Sequence, residues 1–178
     1  MERLAVADAL LVSPELHGDS RGFFYESWRQ DQYAELGIGP EFVQDNHSRS
    51  SRGVLRGLHY QLSNPQGKLV RVLIGEIYDV IVDMRQSSPT FKQWTGVTLS
   101  AENHAMLWVP PGFAHGFQVV SDIAEIAYKC TAYYLPEDEQ CLLWNDPGLA
   151  INWPISGSPA LSDKDQQGKP LAAAPTYS

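Results

Sequence analysis

Cysteine is scarce in this 178-residue chain, with Cys130 and Cys141 the only two. Two thiols make no disulfide framework of the kind that staples small exported domains. Long apolar runs are missing as well, and none approaches the roughly 20 residues a membrane-crossing helix needs. In the opening MERLAVADALLV, Asp8 interrupts a stretch already too short for a secretory signal. Basic residues are few, 13 against 21 acidic, and the pI is near 5.0. That balance excludes the broad positive surface required for nonspecific binding of nucleic acid or membrane. There is no internal repeat and no Gly- or Ser-rich linker. The expectation is a single domain over residues 1–178, cytoplasmic and with free thiols, whose 43% hydrophobic content suffices for a core.

Helical signal is slight. Ser27 to Leu36 reads as one short helix stopped by Gly37, and Leu161 to Gln167 as another with Ser162 as N-cap. Alternating apolar and polar stretches dominate instead. Residues 68–75, 76–84, 93–100, 104–110, 115–121 and 125–134 read as strands, separated by Pro, Gly and Asn punctuation. Many short strands at this spacing predict a mainly β protein, an antiparallel barrel or sandwich with closed edges. The last ten residues, KPLAAAPTYS, are expected to fray.

Charge is distributed unevenly. Arg49, Arg52, Arg56, Lys68 and Arg71 lie within residues 46–75, which contain no Asp or Glu. Such a local cluster in an acidic chain suits a small anionic ligand; the alternative is that the cations meet carboxylates of neighbouring strands. His59 sits inside this segment on an expected strand. A histidine titrates close enough to neutrality to accept a proton there, and Lys68 or Arg56 could stabilise an oxyanion formed beside a carbonyl. Tyr128 shares strand parity with Ile126 and Cys130 and should point inward, where a phenol can donate a proton. Arg56 and His59, three residues apart, would face opposite ways on a regular strand. They can serve one pocket only if Gly57 allows a bulge or Arg56 lies where the strand begins.

Metal binding is a further possibility. Pro110 to His115 reads P-x-G-x-x-H, the second cupin motif, but the first, H-x-H followed by Glu, is replaced by His59-Tyr60-Gln61 with Pro65 or Gln66 at the Glu place. Two imidazoles, no carboxylate and the nearby Lys68 make a poor divalent site, so no metal is expected.

The chain resembles the dTDP-4-dehydrorhamnose 3,5-epimerase family, a metal-free branch of the cupin superfamily, from about Leu11 to Asp165. The likeness rests on GDSRGFFYESW (18–28), FVQDNHSRSSRGVLRGLHYQ (42–61), QGKLVRV (66–72), SPTFKQWTGVTLSAEN (88–103), PPGFAHGF (110–117), IAYKCTAYYLPEDE (126–139), LLWNDP (142–147) and LSDKD (161–165). It implies a cupin-type jelly-roll β-barrel and a homodimer formed by N-terminal strand exchange. It also implies the substrate dTDP-4-dehydro-6-deoxy-D-glucose, with no cofactor. By the same resemblance His59 is the base, Asp165 the carboxylate that orients it, Tyr128 the acid, and Lys68 the cation beside an enolate. Arg56 and His115 would contact the diphosphate or sugar, with Gln44, Asp45, Asn46, Glu139 and Lys164 as further contacts. Arg21 and Glu26 would reach the nucleotide from the partner subunit. Readings kept open are an epimerase acting at C3 or C5 alone, a sugar 3,4-ketoisomerase, a metal-dependent cupin oxygenase and a non-catalytic sugar-nucleotide binding module.

Overall fold

The computed structural model describes residues 1–39, 41–154 and 157–178. In chain order these form β1 (Glu2–Arg3), β2 (Leu10–Val12), β3 (His17–Asp19), β4 (Gly22–Phe24), α1 (Gln30–Glu35), β5 (Gln44–Ser51), β6 (Leu55–Gln61), β7 (Lys68–Ile74) and β8 (Glu76–Asp83). There follow β9 (Trp94–Ser100), β10 (Met106–Val109), β11 (Phe113–Val119), β12 (Ile123–Cys130), β13 (Glu139–Cys141) and α2 (Asp163–Gln166). One sheet runs β1-β2-β10-β7-β12-β5 and the other β13-β6-β11-β8-β9, with antiparallel pairing throughout. The result is the jelly-roll barrel that the resemblance implies, one of the antiparallel forms that the alternating strands left open.

The inward rows of the two sheets explain where the core ends and a cavity begins. Along β12 the inward side chains are Ala124, Ile126, Tyr128 and Cys130, beside Val72, Val70 and Lys68 of β7. Towards one end the rows are aliphatic and join Ile77, Ile81, Leu99, Leu107 and Phe113 in a buried cluster. Towards the other they become phenol, ammonium and imidazole, which cannot fill a dry interior without partners. The outer faces are also covered. Tyr33 of α1 and Ile38 pack on Leu69, Met106 and Trp108. Leu142, Leu149 and Trp153 pack on Val80 and Val82 behind the other sheet.

Several expectations require adjustment. The helix expected over Ser27–Leu36 is confined to Gln30–Glu35, because Trp28 instead lies against Tyr33 and Phe42, its ring centroid 4.7 Å from each. The strand expected over 125–134 ends at Cys130. The tail from residue 169, expected to fray, is docked on the barrel. Tyr177 donates its backbone N–H to Met84 O and accepts from Gln86 N, and its hydroxyl donates to Gln61 O at 2.5 Å. Tyr60 donates its hydroxyl to Pro175 O at 2.7 Å. The N-terminal strand β2 pairs with β10 of its own chain. The β3–β4 hairpin beyond it pairs only within itself among the described residues, leaving Phe23 and Phe24 60% and 70% exposed.

The conflict between Arg56 and His59 is resolved as Gly57 suggests. His59 lies opposite His115 and Arg56 opposite Phe117, so β6 holds one residue more than β11 across this interval. Such an extra residue returns both side chains to one face. Gly57 has φ +126°, and a Cβ there would lie 2.5 Å from Gly116 Cα and 2.9 Å from His115 O. Both contacts are backbone and cannot swing aside. Gly57→Ala is therefore expected to cost about 3 kcal/mol from combined backbone strain and overpacking, read as a lowered urea midpoint with unchanged slope.

Candidate active site

A cavity of about 820 Å³ opens at the polar end of the barrel, between the two sheets. His59 enters it from β6 of one sheet, and Tyr128 and Lys68 from β12 and β7 of the other. The imidazole and the phenol therefore approach the same space from opposite walls.

His59 is held by a carboxylate. Its Nε2 lies 2.6 Å from Asp165 Oδ1, which also accepts from Gly57 N at 3.3 Å. The other oxygen of Asp165 accepts from Ser162 Oγ at 2.7 Å. Burial opposes ionisation of Asp165, but the hydrogen bonds from His59, Ser162 and Gly57 outweigh it and hold the carboxyl down at about 2. With Nε2–H donating to this carboxylate, the neutral ring keeps its lone pair on Nδ1, 3.9 Å from Glu139 Oε1. Ser162 also accepts from Asp165 N at 3.2 Å as the N-cap of α2. The helix cap thus places the carboxylate that orients the His59 ring.

Tyr128 lies opposite Asn46 and Val70, and burial raises its phenol above the usual value, keeping it protonated near neutrality. Lys68 is half-buried, and its burial lowers the pKa, the acidic neighbours only partly offsetting that. Arg56 donates Nε to Ser50 Oγ at 3.0 Å and lines the cavity. His115 also lines it, with Nε2 2.8 Å from Asp79 Oδ1; the other oxygen of Asp79 is buried with no partner among the described residues.

Gln44, Asn46, Glu139 and Lys164 complete the expected wall. Gln44 Nε2 donates to Asn46 Oδ1 at 3.0 Å, and Lys164 Nζ to Glu139 Oε2 at 2.7 Å. Asp45 is not brought to the cavity. Alternation along β5 turns it outward, where Lys129 Nζ donates to it at 3.0 Å. Arg21 and Glu26 also lie outside. Arg21 is paired with Asp19 on the exposed hairpin, and Glu26 lines a separate groove near Phe24 and Tyr33. The basic cluster divides between its two readings. Arg49 meets Glu125 at 3.3 Å and Arg52 meets Asp122 at 3.0 Å, whereas Arg56 and Lys68 face the cavity.

Sequence reasoning missed Ser48, Gln66, Phe117, Tyr134 and Ser162 in this wall. Tyr134, whose hydroxyl donates to Glu139 Oε2 at 3.0 Å, follows the end of β12, where strand parity gives no signal. The donor set does not suit a cupin metal. The Lys68 ammonium lines the same cavity as His59 and His115. The amide of Gln61 is turned onto the backbone of Asn64, Tyr133 and Leu135.

The fold and cavity define a jelly-roll protein of the cupin type that sets a carboxylate-backed imidazole against a phenol beside cationic side chains. Residues 3–173 match the family described as dTDP-4-dehydrorhamnose 3,5-epimerase. The chain belongs to that family. The dTDP-4-dehydrorhamnose 3,5-epimerase of Pseudomonas aeruginosa is 56% identical over 176 residues, 98% of this chain and 97% of that protein. The crystal structure of the dTDP-6-deoxy-D-glucose-3,5-epimerase of Legionella pneumophila, in complex with dTDP-4-keto-L-rhamnose, is 52% identical. Its TM-score is 0.94, over 98% of this chain and 96% of that one. A 3'-monoepimerase from Streptomyces bikiniensis, in complex with dTDP-quinovose, is 34% identical with a TM-score of 0.91, over 97% of this chain and 88% of that one.

The depressed Asp165 carboxyl has a pH signature. Its folded pKa of about 2 lies below the ordinary 3.8, so its stabilisation is present above that ordinary value and is lost as pH falls through the folded one. The stability advantage of the wild type over Asp165→Asn, measured by urea unfolding, should shrink by about 2 kcal/mol on acidification, most of it between about pH 4 and about pH 2.

Proposed function

We propose that this chain is a cofactor-independent dTDP-4-dehydrorhamnose 3,5-epimerase that converts dTDP-4-dehydro-6-deoxy-D-glucose into dTDP-4-dehydro-L-rhamnose. The observation that carries this reading is the entry of His59 and Tyr128 into one cavity from opposing sheets. Inverting a carbon requires removal of a proton from one side of the ring and its return from the other. The C4 carbonyl acidifies the hydrogens on both C3 and C5, so one keto group makes both centres invertible.

In each half of the reaction His59 Nδ1 takes the proton, and the electron pair moves onto the C4 oxygen as an enolate. Lys68 stands where its ammonium can stabilise that charge. Tyr128, kept protonated by burial, returns a proton to carbon on the opposite side; before the second half the imidazolium releases its proton to solvent and the phenolate takes one up. Asp165 fixes the tautomer of His59 and stabilises the imidazolium that forms. Arg56, with Lys164 and His115, suits the diphosphate and sugar oxygens. The site works as a proton exchanger with no redox step.

The same reading includes a cytoplasmic homodimer. The β3–β4 hairpin, with exposed Phe23 and Phe24 and with Arg21 at its turn, supports exchange through this projection rather than through β2, which is already paired at home. Arg21 and Glu26 would then complete the nucleotide site of the partner subunit. No helix is long and apolar enough to cross a membrane among the described residues.

In deuterated buffer the substrate is expected to gain label at both C3 and C5, observed by NMR. Label at C3 alone would replace this reading with a single-centre epimerase, a second reading favoured by the likeness to the Streptomyces 3'-monoepimerase. Label at neither carbon would refute both. His59→Ala should lower kcat by about a thousandfold while dTDP binding persists.

A further inference from the structure

Cys141 has no part in the proposed proton path, yet it lies beside the base. In the β13–β6 ladder it is the residue directly opposite His59, and directly opposed side chains share a face of the sheet. A donor atom each from His59, Cys141 and Asp165 lies within 4.8 Å of the others. Imidazole nitrogen, thiolate sulfur and carboxylate oxygen are the usual ligands of zinc. With bonds of about 2.0–2.3 Å, tetrahedral ligands lie roughly 3.5 Å apart. Shifts of about an ångström would bring the three donors to that spacing, with the 2.6 Å contact of His59 and Asp165 opening to admit the ion. The site is reachable from the cavity through His59, whose side chain is 22% exposed, and Cys141 behind it is partly exposed.

We propose that His59, Cys141 and Asp165 form an inhibitory site for a thiophilic divalent cation, with zinc as the ion best matched to this donor set and a water molecule as fourth ligand.

Binding would take the thiol proton from Cys141 and release it to solvent as sulfur bonds to the metal. Nε2 of His59, the nitrogen beside Asp165, would give up its proton and coordinate. The neutral ring must then carry its hydrogen on Nδ1, and the lone pair that accepts the substrate proton is gone. Asp165, drawn to the cation, ceases to orient the ring for catalysis. Hard cations lack affinity for the thiolate, so magnesium and calcium should leave the enzyme active. Such a site makes turnover responsive to free zinc without any segment of the fold having to move.

The test uses the full chain and two readouts. Cobalt(II) added to the wild-type protein without substrate should give the near-ultraviolet thiolate-to-cobalt charge-transfer band. Cys130→Ala should retain that band, and Cys141→Ser and Cys141→Ala should lose it. Zinc chloride should inhibit the wild type reversibly, with activity restored by EDTA. The half-inhibiting concentration should rise roughly tenfold or more in the two Cys141 variants, whose basal turnover stays intact. A band absent from the wild type, a band surviving in both Cys141 variants, or equal zinc sensitivity in wild type and variants would overturn the proposal. The cobalt readout requires no turnover, so its failure is separable from failure of the epimerase reading.

Discussion

Arg56 and His59 belong to one strand at an odd separation, and the site exists because Gly57 and Gly116 let two backbones touch between them. The missing Cβ at Gly57 leaves room that even a methyl group would fill against Gly116 Cα at 2.5 Å. The extra residue that this approach accommodates turns guanidinium and imidazole to the same side. It also points Gly57 N at Asp165, so the bulge that aims His59 helps to hold the carboxylate behind it.

The cavity sets charged and polar side chains among apolar ones such as Val54, Leu55, Phe117 and Leu161, and a barrel interior tolerates the charges only when they have company. His59 rests on Asp165, His115 on Asp79, and Glu139 collects Lys164 and Tyr134. Lys68 is the contrast. Its ammonium joins no salt bridge among the described residues, and desolvation pulls its pKa down. An underpaired cation beside a protonated phenol favours an incoming anion. Arg49 and Arg52, spent on Glu125 and Asp122, show that nearness in sequence to His59 does not by itself bring a cation to the cavity.

What the sequence disclosed follows the range of each signal. Period-two alternation was enough to mark β7 to β12 and to turn Tyr128 inward. It failed for β5, whose residues QDNHSRSS contain no aliphatic side chain, so that strand exists through its ladder to β12. The same alternation, once β5 is known, moves Asp45 to the outside while keeping Gln44 and Asn46 within. The pairing of His59 with Asp165 lay beyond local reasoning, where the Ser162 N-cap was the readable feature and the contact was implied only by the resemblance. The docked tail was missed because its small residues and prolines carry no periodic pattern; Tyr177 is what anchors it.

The separation of His59 and Asp165 by 106 residues bears on how the protein is made. A ribosome supplies the histidine and both glycines of the close approach long before it supplies the carboxylate. Partly synthesised chains can build much of the barrel while the imidazole lacks its carboxylate, so the ring acquires its fixed tautomer late in synthesis, with the short turn of helix that carries Asp165.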